Sequence, residues 1–330
     1  MKAGKRVLIT GGAGFIGYHL ADRLAAAGKE IVVVDNFALG KADDAFSELC
    51  TLSNVTFIEA DLTDPHAWEA LGGGFGHVYH LAAINSTKLF YEIPHEILRT
   101  ALLMNVYALE WFKTHNAEGK ILFTSSNEAY SGALEAFGIL PLPTPENVPL
   151  VIADPYNPRW SYAGTKLIGE LLFINYGRSF KLRTAIVRPH NFYGPRSGHH
   201  VIPDVLERIT RREEPFALYG ADETRSFCYI DDAVEAIQQV MESDATDGGT
   251  YHIGTGVETK VEALIEELFE LMHWHPERVE KKNAPEGSVK RRVPDVSKIK
   301  KDIGWEAKTS LREGLERTVG WYLKNPKSLG

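Results

Sequence analysis

Only two cysteines, Cys50 and Cys228, occur in 330 residues, too few for a disulfide framework. Both read as small, partly buried thiols. No apolar run approaches the ~20 residues of a membrane span, and the N-terminus lacks the apolar core of a signal peptide. The expected location is the cytoplasm, with no membrane partner. Basic charge is also in short supply, since 36 Lys and Arg against 44 Asp and Glu leave a net charge of −8. There is no dense basic stripe, and Lys290-Arg291-Arg292 is too short to act as one, so nucleic acid is not an expected partner. Internal repeats and low-complexity tracts are absent. Hydrophobic residues make up 44% of the chain, ordinary for a globular protein, and the length suits one large α/β domain with a smaller lobe.

What the chain does have is glycine in a telling place. In LITGGAGFIG (8–17) glycines stand at 11, 14 and 17, directly behind the apolar run Val7-Leu8-Ile9. Ile16, Leu20 and Leu24 then repeat at helical spacing until Gly28, so the segment reads strand, turn, helix. Glycines at such a turn let it bend tightly and let a pyrophosphate approach bare backbone N–H groups, where the helix dipole favours negative charge. Ile31-Val32-Val33-Val34-Asp35 is a second buried strand ending in a carboxylate, about 20 residues past the glycines, where a dinucleotide-binding unit places the acid for the adenosine ribose. An acid there repels a 2′-phosphate, which selects NAD over NADP.

Later strand candidates are Val55–Glu59, Val78–Leu81, Ile121–Thr124 and Thr184–Val187, alternating with helical stretches. The expected fold is α/β, a doubly wound parallel sheet of Rossmann type with a smaller, discontinuous α/β substrate lobe. Residues 1–190, with a return segment at about 226–245, are assigned to the NAD-binding domain, and 191–225 and 246–330 to the lobe. Ser226–Ile237 and Thr250–Ile253 look like returns to regular structure, and Val201–Arg212 and Val261–Met272 read as amphipathic helices. Leu140–Arg159 carries six prolines and is expected to be a long loop that covers a site or spans the surface. Ile97–Trp111 and Leu167–Ile174 are apolar on more than one face, too much for helices packed on one sheet, which predicts a homodimer.

Chemistry enters at Tyr162-Ala-Gly-Thr-Lys166. Residues at i and i+4 share a helix face, which puts phenol and ammonium side by side. A cation beside a phenol lowers its pKa from ~10, making a general base for a sugar hydroxyl. Ser125-Ser126 ends the preceding strand. His199 and His200 are too few to make a metal site, and no metal is expected.

With these residues in place the chain resembles an extended short-chain dehydrogenase/reductase of the NAD-dependent nucleotide-sugar epimerase/dehydratase family, over nearly its whole length. TGGAGFIG (10–17), with Gly11, Gly14, Phe15, Ile16 and Gly17, matches the family's TGxxGxxG, and VVVDN (32–36) its ribose-binding Asp35 with Asn36. ADL (60–62) resembles the pair, Asp61 and Leu62, that holds adenine, and HLAA (80–83) the strand end, Leu81, Ala82 and Ala83, beside the cofactor. SSNEAY (125–130), YAGTK (162–166), RPHNFYGPR (188–196) and TRSFCYIDD (224–232) resemble the remaining family motifs. The resemblance implies that Ser126, Tyr162 and Lys166 oxidise a sugar carbon, usually C4, against tightly held NAD. Ser126 would bond the reacting oxygen and Lys166 the nicotinamide ribose. Asn127, Asn191, Arg225 and Arg292 would bind the nucleotide-sugar substrate. The resemblance also implies that two helices per subunit pair into a four-helix bundle.

The reaction that follows is open at this level. The leading expectation is a nucleotide-sugar epimerase working through a 4-keto sugar. Glu128, two residues after Ser126, has counterparts in family dehydratases and sugar-acid decarboxylases, and simple 4-epimerases usually do without it. Dehydratases generally carry Asp before that Glu, and this chain has Asn127, which cannot donate a proton as a carboxylic acid does. NPRWSYAGTK (157–166) resembles UDP-glucuronate decarboxylases, whereas Ala129 and Ser131 depart from the usual V-Y-G. Glu128 as a local structural cap, a 4-dehydrogenase that releases reduced cofactor, and a non-catalytic NAD sensor complete the alternatives. Intact Ser126, Tyr162 and Lys166 argue against the sensor.

Overall fold

Short Val- and Ile-rich runs bounded by glycine, aspartate or lysine become strands, because β-branched side chains suit a pleated sheet buried on both faces. The computed structural model describes residues 6–137, 140–198, 200–284 and 288–329. Its first half alternates β1 (Arg6–Thr10), α1 (Phe15–Ala26), β2 (Glu30–Asp35), α2 (Asp44–Cys50), β3 (Val55–Glu59), α3 (Pro65–Ala70) and β4 (His77–His80). There follow α4 (Thr87–Glu92), α5 (Pro94–His115), β5 (Lys120–Thr124), α6 (Glu128–Phe137), α7 (Trp160–Phe180) and β6 (Arg183–Pro189). Beyond these come β7 (Phe192–Tyr193), α8 (Val201–Thr210), β8 (Phe216–Tyr219), β9 (Thr224–Arg225), β10 (Cys228–Tyr229) and α9 (Ile230–Glu242). The chain closes with β11 (Thr250–Ile253), β12 (Thr259–Lys260), α10 (Val261–Leu271), β13 (Val279–Lys282), β14 (Arg291–Arg292), α11 (Ser297–Ile303) and α12 (Leu311–Lys324).

Seven strands form one sheet in the order β11-β6-β5-β4-β1-β2-β3, parallel at every pairing. The order reverses beside β1, so the carboxyl ends of β1 and β4 flank the crevice where such sheets bind ligands. Alternation along β1 sends Val7 and Ile9 to one face with Leu20, Leu24 and Ile237, and Leu8 to the other with Val78, Phe112 and Phe173. The first of these cores runs on into the later chain through Phe216, Leu264, Phe269 and Trp305. Lobe and sheet therefore share a hydrophobic interior.

One sequence expectation differs from the structure. Thr250–Ile253 was assigned to the lobe but is β11, the edge strand paired with β6, and α11 bonds to it through Tyr251 Oη and Asp302 at 2.9 Å. An apolar strand needs a sheet to satisfy its backbone, and β6 offered the open edge. The residues from Glu128 onward, read only as a motif, form α6. The segment 140–159 does lack regular elements, and it is fastened rather than loose. Thr144 N donates to Val293 O and Asp295 N to Thr144 O, both at 2.8 Å, while His252 N donates to Glu146 Oε1 at 2.9 Å.

Lys120 opens β5, the strand whose far end carries Ser125 and Ser126. Its side chain is 1% exposed, and Nζ donates to Val240 O (3.0 Å), Ser243 O (2.8 Å) and Thr246 Oγ1 (2.7 Å) while pairing with Asp247 at 2.7 Å. Lys120→Met keeps the stem but leaves these acceptors unpaired. Urea denaturation is expected to show a loss of about 3 kcal/mol.

Candidate active site

The glycine turn closes on the end of β4. Gly11 has φ +72°, and a Cβ there would stand 2.8 Å from Ala82 N; one on Gly17 would stand 2.2 Å from Gly11 O. Backbone is packed on backbone, which only glycine permits. Helix α1 starts at Gly14 with no side-chain cap, leaving its first-turn N–H groups, including those of Phe15 and Ile16, available to an anion. Asp35 lies beside the turn and accepts from Ala13 N at 3.0 Å and Phe37 N at 2.8 Å. A carboxylate has about four acceptor positions, so capacity for a ribose diol remains. Ala82 N and Leu81 N each donate to Thr10 Oγ1 at 3.2 Å. The Thr10 hydroxyl meets His80 Nδ1 at 2.9 Å, and His80 Nε2 meets Asn105 Oδ1 at 3.1 Å. The Asn105 acceptor requires Nε2 to carry the proton, and burial lowers the His80 pKa to about 4. Asn36 and Asp61 are exposed at the strand ends and cap their own turns, and Leu62 is buried.

Across the crevice, α7 presents Tyr162 and Lys166. The Tyr162 ring stacks on Phe90 of α4 with centroids 5.0 Å apart. Lys166 Nζ donates to Thr124 O at 2.8 Å and lies 5.4 Å from the Tyr162 ring centroid. One turn further along the same helix face, Glu170 takes both Arg188 Nε and Nη2, at 2.8 and 2.7 Å, and the Ser125 hydroxyl at 2.5 Å. This network locks α7 against the ends of β5 and β6. The expectation that Lys166 lowers the phenol's pKa is corrected here. Burial raises the Tyr162 pKa, the Glu128 carboxylate adds to the rise, and hydrogen bonding by Ser126 opposes it. The ammonium is aimed at a carbonyl, and burial lowers its own pKa to about 8, against the pull of Glu170.

At the start of α6, Glu128 N donates to Ser126 Oγ at 3.1 Å. The Glu128 carboxylate is flanked by Arg292 at 2.8 Å and Arg159 at 3.6 Å. Burial alone would raise its pKa, but Arg292 and Arg159, helped by Arg225, hold it below the usual range. Arg292 also donates to Asn127 Oδ1 at 3.1 Å. Ser126, Asn127, Glu128, Tyr162, Lys166 and Arg292 thus gather at one place. Arg225 lies nearby, but its Nη atoms go to Thr224 O (2.8 Å), Val289 O (2.7 Å), Glu223 (2.7 Å) and Ser288 (3.2 Å). Asn191 gives its amide to Ser226 O at 2.8 Å. His200 stands exposed at the start of α8, and His199 lies outside the described residues. The sequence names none of Arg159, Phe90, Glu170 and His80 as a site residue, although Arg159 stands within NPRWSYAGTK and His80 opens HLAA. Only the first and third left a signal in their spacing, Arg159 three residues before Tyr162 and Glu170 four after Lys166.

A Rossmann-type dinucleotide fold is the class to which this arrangement points. More particularly, the chain belongs to the NAD dependent epimerase/dehydratase family, whose profile matches residues 7–254. It is 31% identical over 327 residues to a UDP-N-acetyl-alpha-D-glucosaminuronate decarboxylase of Bacillus cytotoxicus, covering 96% of this chain and 98% of the relative. It superposes on a UDP-glucose 4-epimerase of Thermotoga maritima, solved with UDP-glucose, with TM-score 0.86 and 31% identity over 97% of this chain and 99% of that one. A dTDP-glucose 4,6-dehydratase of Streptomyces venezuelae, solved with NAD, gives TM-score 0.87 at 25% identity, covering 98% of each chain. NAD is the family's cofactor, and the uncapped α1 N-terminus, the side-chain-free turn and the half-used Asp35 carboxylate fit it. No helix among the described residues is long and apolar enough to cross a membrane.

Lys166 yields a pH prediction. Its folded pKa of about 8 lies below the ordinary 10.5, so between those values the unfolded chain binds more protons and stability from this group rises with pH. Below about pH 8 the cost of burying the ammonium is fully present. Denaturation across this window should show a smaller upward slope in Lys166→Met than in the wild type. Equal slopes would refute the depressed pKa.

Proposed function

We propose that the protein oxidises C4 of a nucleotide-linked sugar acid and decarboxylates the resulting 4-keto sugar. The observation that carries this reading is the ionised Glu128 held between Arg159 and Arg292 beside Ser126 and Tyr162. Elimination of water needs a carboxylic acid to protonate the departing hydroxyl, and neither Asn127 nor an ionised Glu128 supplies one. Two arginines against one carboxylate leave positive charge at the sugar end of the cleft, which suits a substrate carboxylate. The sugar-acid decarboxylase among the relatives supports the same reading. Epimerisation at C4 is the second reading, supported by the similarity at equal identity to the Thermotoga maritima epimerase.

NAD, when bound, supplies a reversible hydride acceptor and a positive ring whose charge opposes the burial that raises the phenol's pKa. Tyr162 Oη takes the C4 hydroxyl proton, and Ser126 Oγ bonds the same oxygen. The Phe90 stack and the Lys166 bond to Thr124 O keep these groups from moving away. Once C4 is a ketone, the bond from C5 to the carboxylate breaks, carbon dioxide leaves, and the bond's electron pair forms the C4–C5 enolate, which regains the ketone by taking up a proton at C5. Arg292 and Arg159, oriented by Glu128, hold the carboxylate for that departure.

Nucleotide sugars with and without a carboxylate, screened by mass spectrometry, test the reading. Loss of carbon dioxide is expected from a uronate, whereas an unchanged mass with altered stereochemistry supports epimerisation. Tyr162→Phe should lower turnover by ~10²–10⁴ while substrate still binds. Glu128→Gln should stall decarboxylation yet scarcely disturb an epimerase. Full activity in Tyr162→Phe would defeat the assignment of the base.

The assembly proposed is a homodimer. Leu98 and Leu102 of α5 are 41% and 46% exposed, and Ile168 and Leu171 of the adjacent α7 are 40% and 51% exposed. Together they make one apolar face suited to a four-helix contact. Sedimentation at micromolar concentration should give a dimer, and Leu98→Glu with Leu171→Glu should give a monomer.

A further inference from the structure

The loop between β2 and α2, residues 36–43, has no regular structure, and Asn36, Ala38, Leu39, Lys41 and Ala42 are exposed. It begins at Asp35 and folds back over the glycine turn, where Lys41 N donates to Ala13 O at 3.3 Å. A Cβ on Gly40 would stand 3.0 Å from an Asp35 carboxylate oxygen. The loop therefore walls the side of the slot in which Asp35 would face an adenosine ribose.

Its far end is held by Arg196, in the loop after β7. Arg196 Nε donates to Asp43 Oδ2 at 2.7 Å and Nη2 to Asp43 Oδ1 at 2.9 Å, with a longer bond from Nη2 to Lys41 O at 3.3 Å. The guanidinium lies 4.0 Å from the Tyr18 ring centroid, and its side chain is 3% exposed. Beside it His19 Nε2 donates to Pro195 O at 2.9 Å, from a ring that burial keeps neutral with a pKa lowered to about 4. Two costs accompany this contact. Arg196 has φ +66°, a left-handed conformation that suits glycine, and its Nη1 is buried without a protein partner among the described residues. A strained, buried, bidentate arginine joining two loops at a ligand cleft is the kind of outlier that marks a functional constraint.

We propose that Arg196 and Asp43 form a clasp that keeps the loop 36–43 closed over the adenosine end of the cofactor slot and so slows the release of NAD. Arg196 is a positioning residue in this role, acting through the loop and not on reacting atoms. The proposal rests on the placement of the adenosine ribose at Asp35.

Asp43 also caps α2 by accepting from Phe46 N at 2.9 Å. Asparagine caps a helix as well as aspartate does, so Asp43→Asn removes the charge pair and keeps the helix start. Radiolabelled NAD on the purified protein, chased with unlabelled NAD, gives the release rate, and limited trypsin cleavage after Lys41 reports loop opening without reference to the cofactor. Asp43→Asn and Arg196→Met are each expected to speed release by about tenfold and to hasten cleavage, with Arg196→Lys between them and the wild type because a single ammonium cannot bond bidentately. Unchanged release in both variants, while Asp35→Ala still weakens NAD binding, overturns the clasp and leaves the slot standing. Unaltered NAD affinity in Asp35→Ala overturns the slot, and the clasp with it.

Discussion

The buried pair between Glu170 and Arg188 is the constraint from which the site's geometry follows. It joins α7 to the end of β6 through two hydrogen bonds, with side chains 2% and 4% exposed, and takes the Ser125 hydroxyl from the end of β5. Charges removed from water are tolerable only when fully partnered, so this network allows one rotation of α7 about its axis. That rotation aims Tyr162 and Lys166, on the same face, at the end of β5. Arg188 Nη1 also bonds Glu146 O at 2.9 Å, which draws the proline-rich segment over the same place.

Fastening that segment has electrostatic consequences. Its early residues pair with Val293 and Asp295, next to Arg292, and its last residue is Arg159. Both ends thus deliver an arginine to Glu128, which holds the carboxylate's pKa below the usual range where burial alone would raise it. Burial acts in the opposite sense on Tyr162 and Lys166, favouring the neutral form of each. A neutral phenol, a readily deprotonated amine and a fixed anion stand within one small volume. Groups pushed apart in this way suit proton transfer at one point and charge recognition at another.

Much of this was legible in the sequence because it is local. The strand, glycine turn and helix at 7–28, the acid ending β2, and the Tyr162 and Lys166 pair all depend on spacing of a few residues, where helix and strand periods act directly. The proline-rich break was legible for the same reason, since proline removes a donor and restricts the residue before it. Membership in the NAD-dependent family followed from these motifs. Thr250–Ile253 reads as regular structure in the sequence, but its place in the central sheet does not, because an edge strand of four residues is defined by the neighbour that offers hydrogen bonds, and β6 lies 60 residues away in sequence. α6 was missed because its first residues were read as a motif.

What the sequence by itself determined was therefore the fold class, the dinucleotide turn and the helical spacing of the side chains proposed to handle protons. The tertiary structure alone decided in which direction the pKa of each is displaced. Lys166 sits beside Tyr162 in sequence periodicity, yet its ammonium bonds the Thr124 carbonyl, so proximity on a helix did not become a lowered phenol pKa. Glu128 read as a possible acid, and two arginines from positions 31 residues after it and 164 residues after it make it a fixed anion. The physical reason is the same in each case. Backbone geometry is set by short-range sterics and hydrogen bonds, whereas a pKa sums burial and charge over everything the fold brings near.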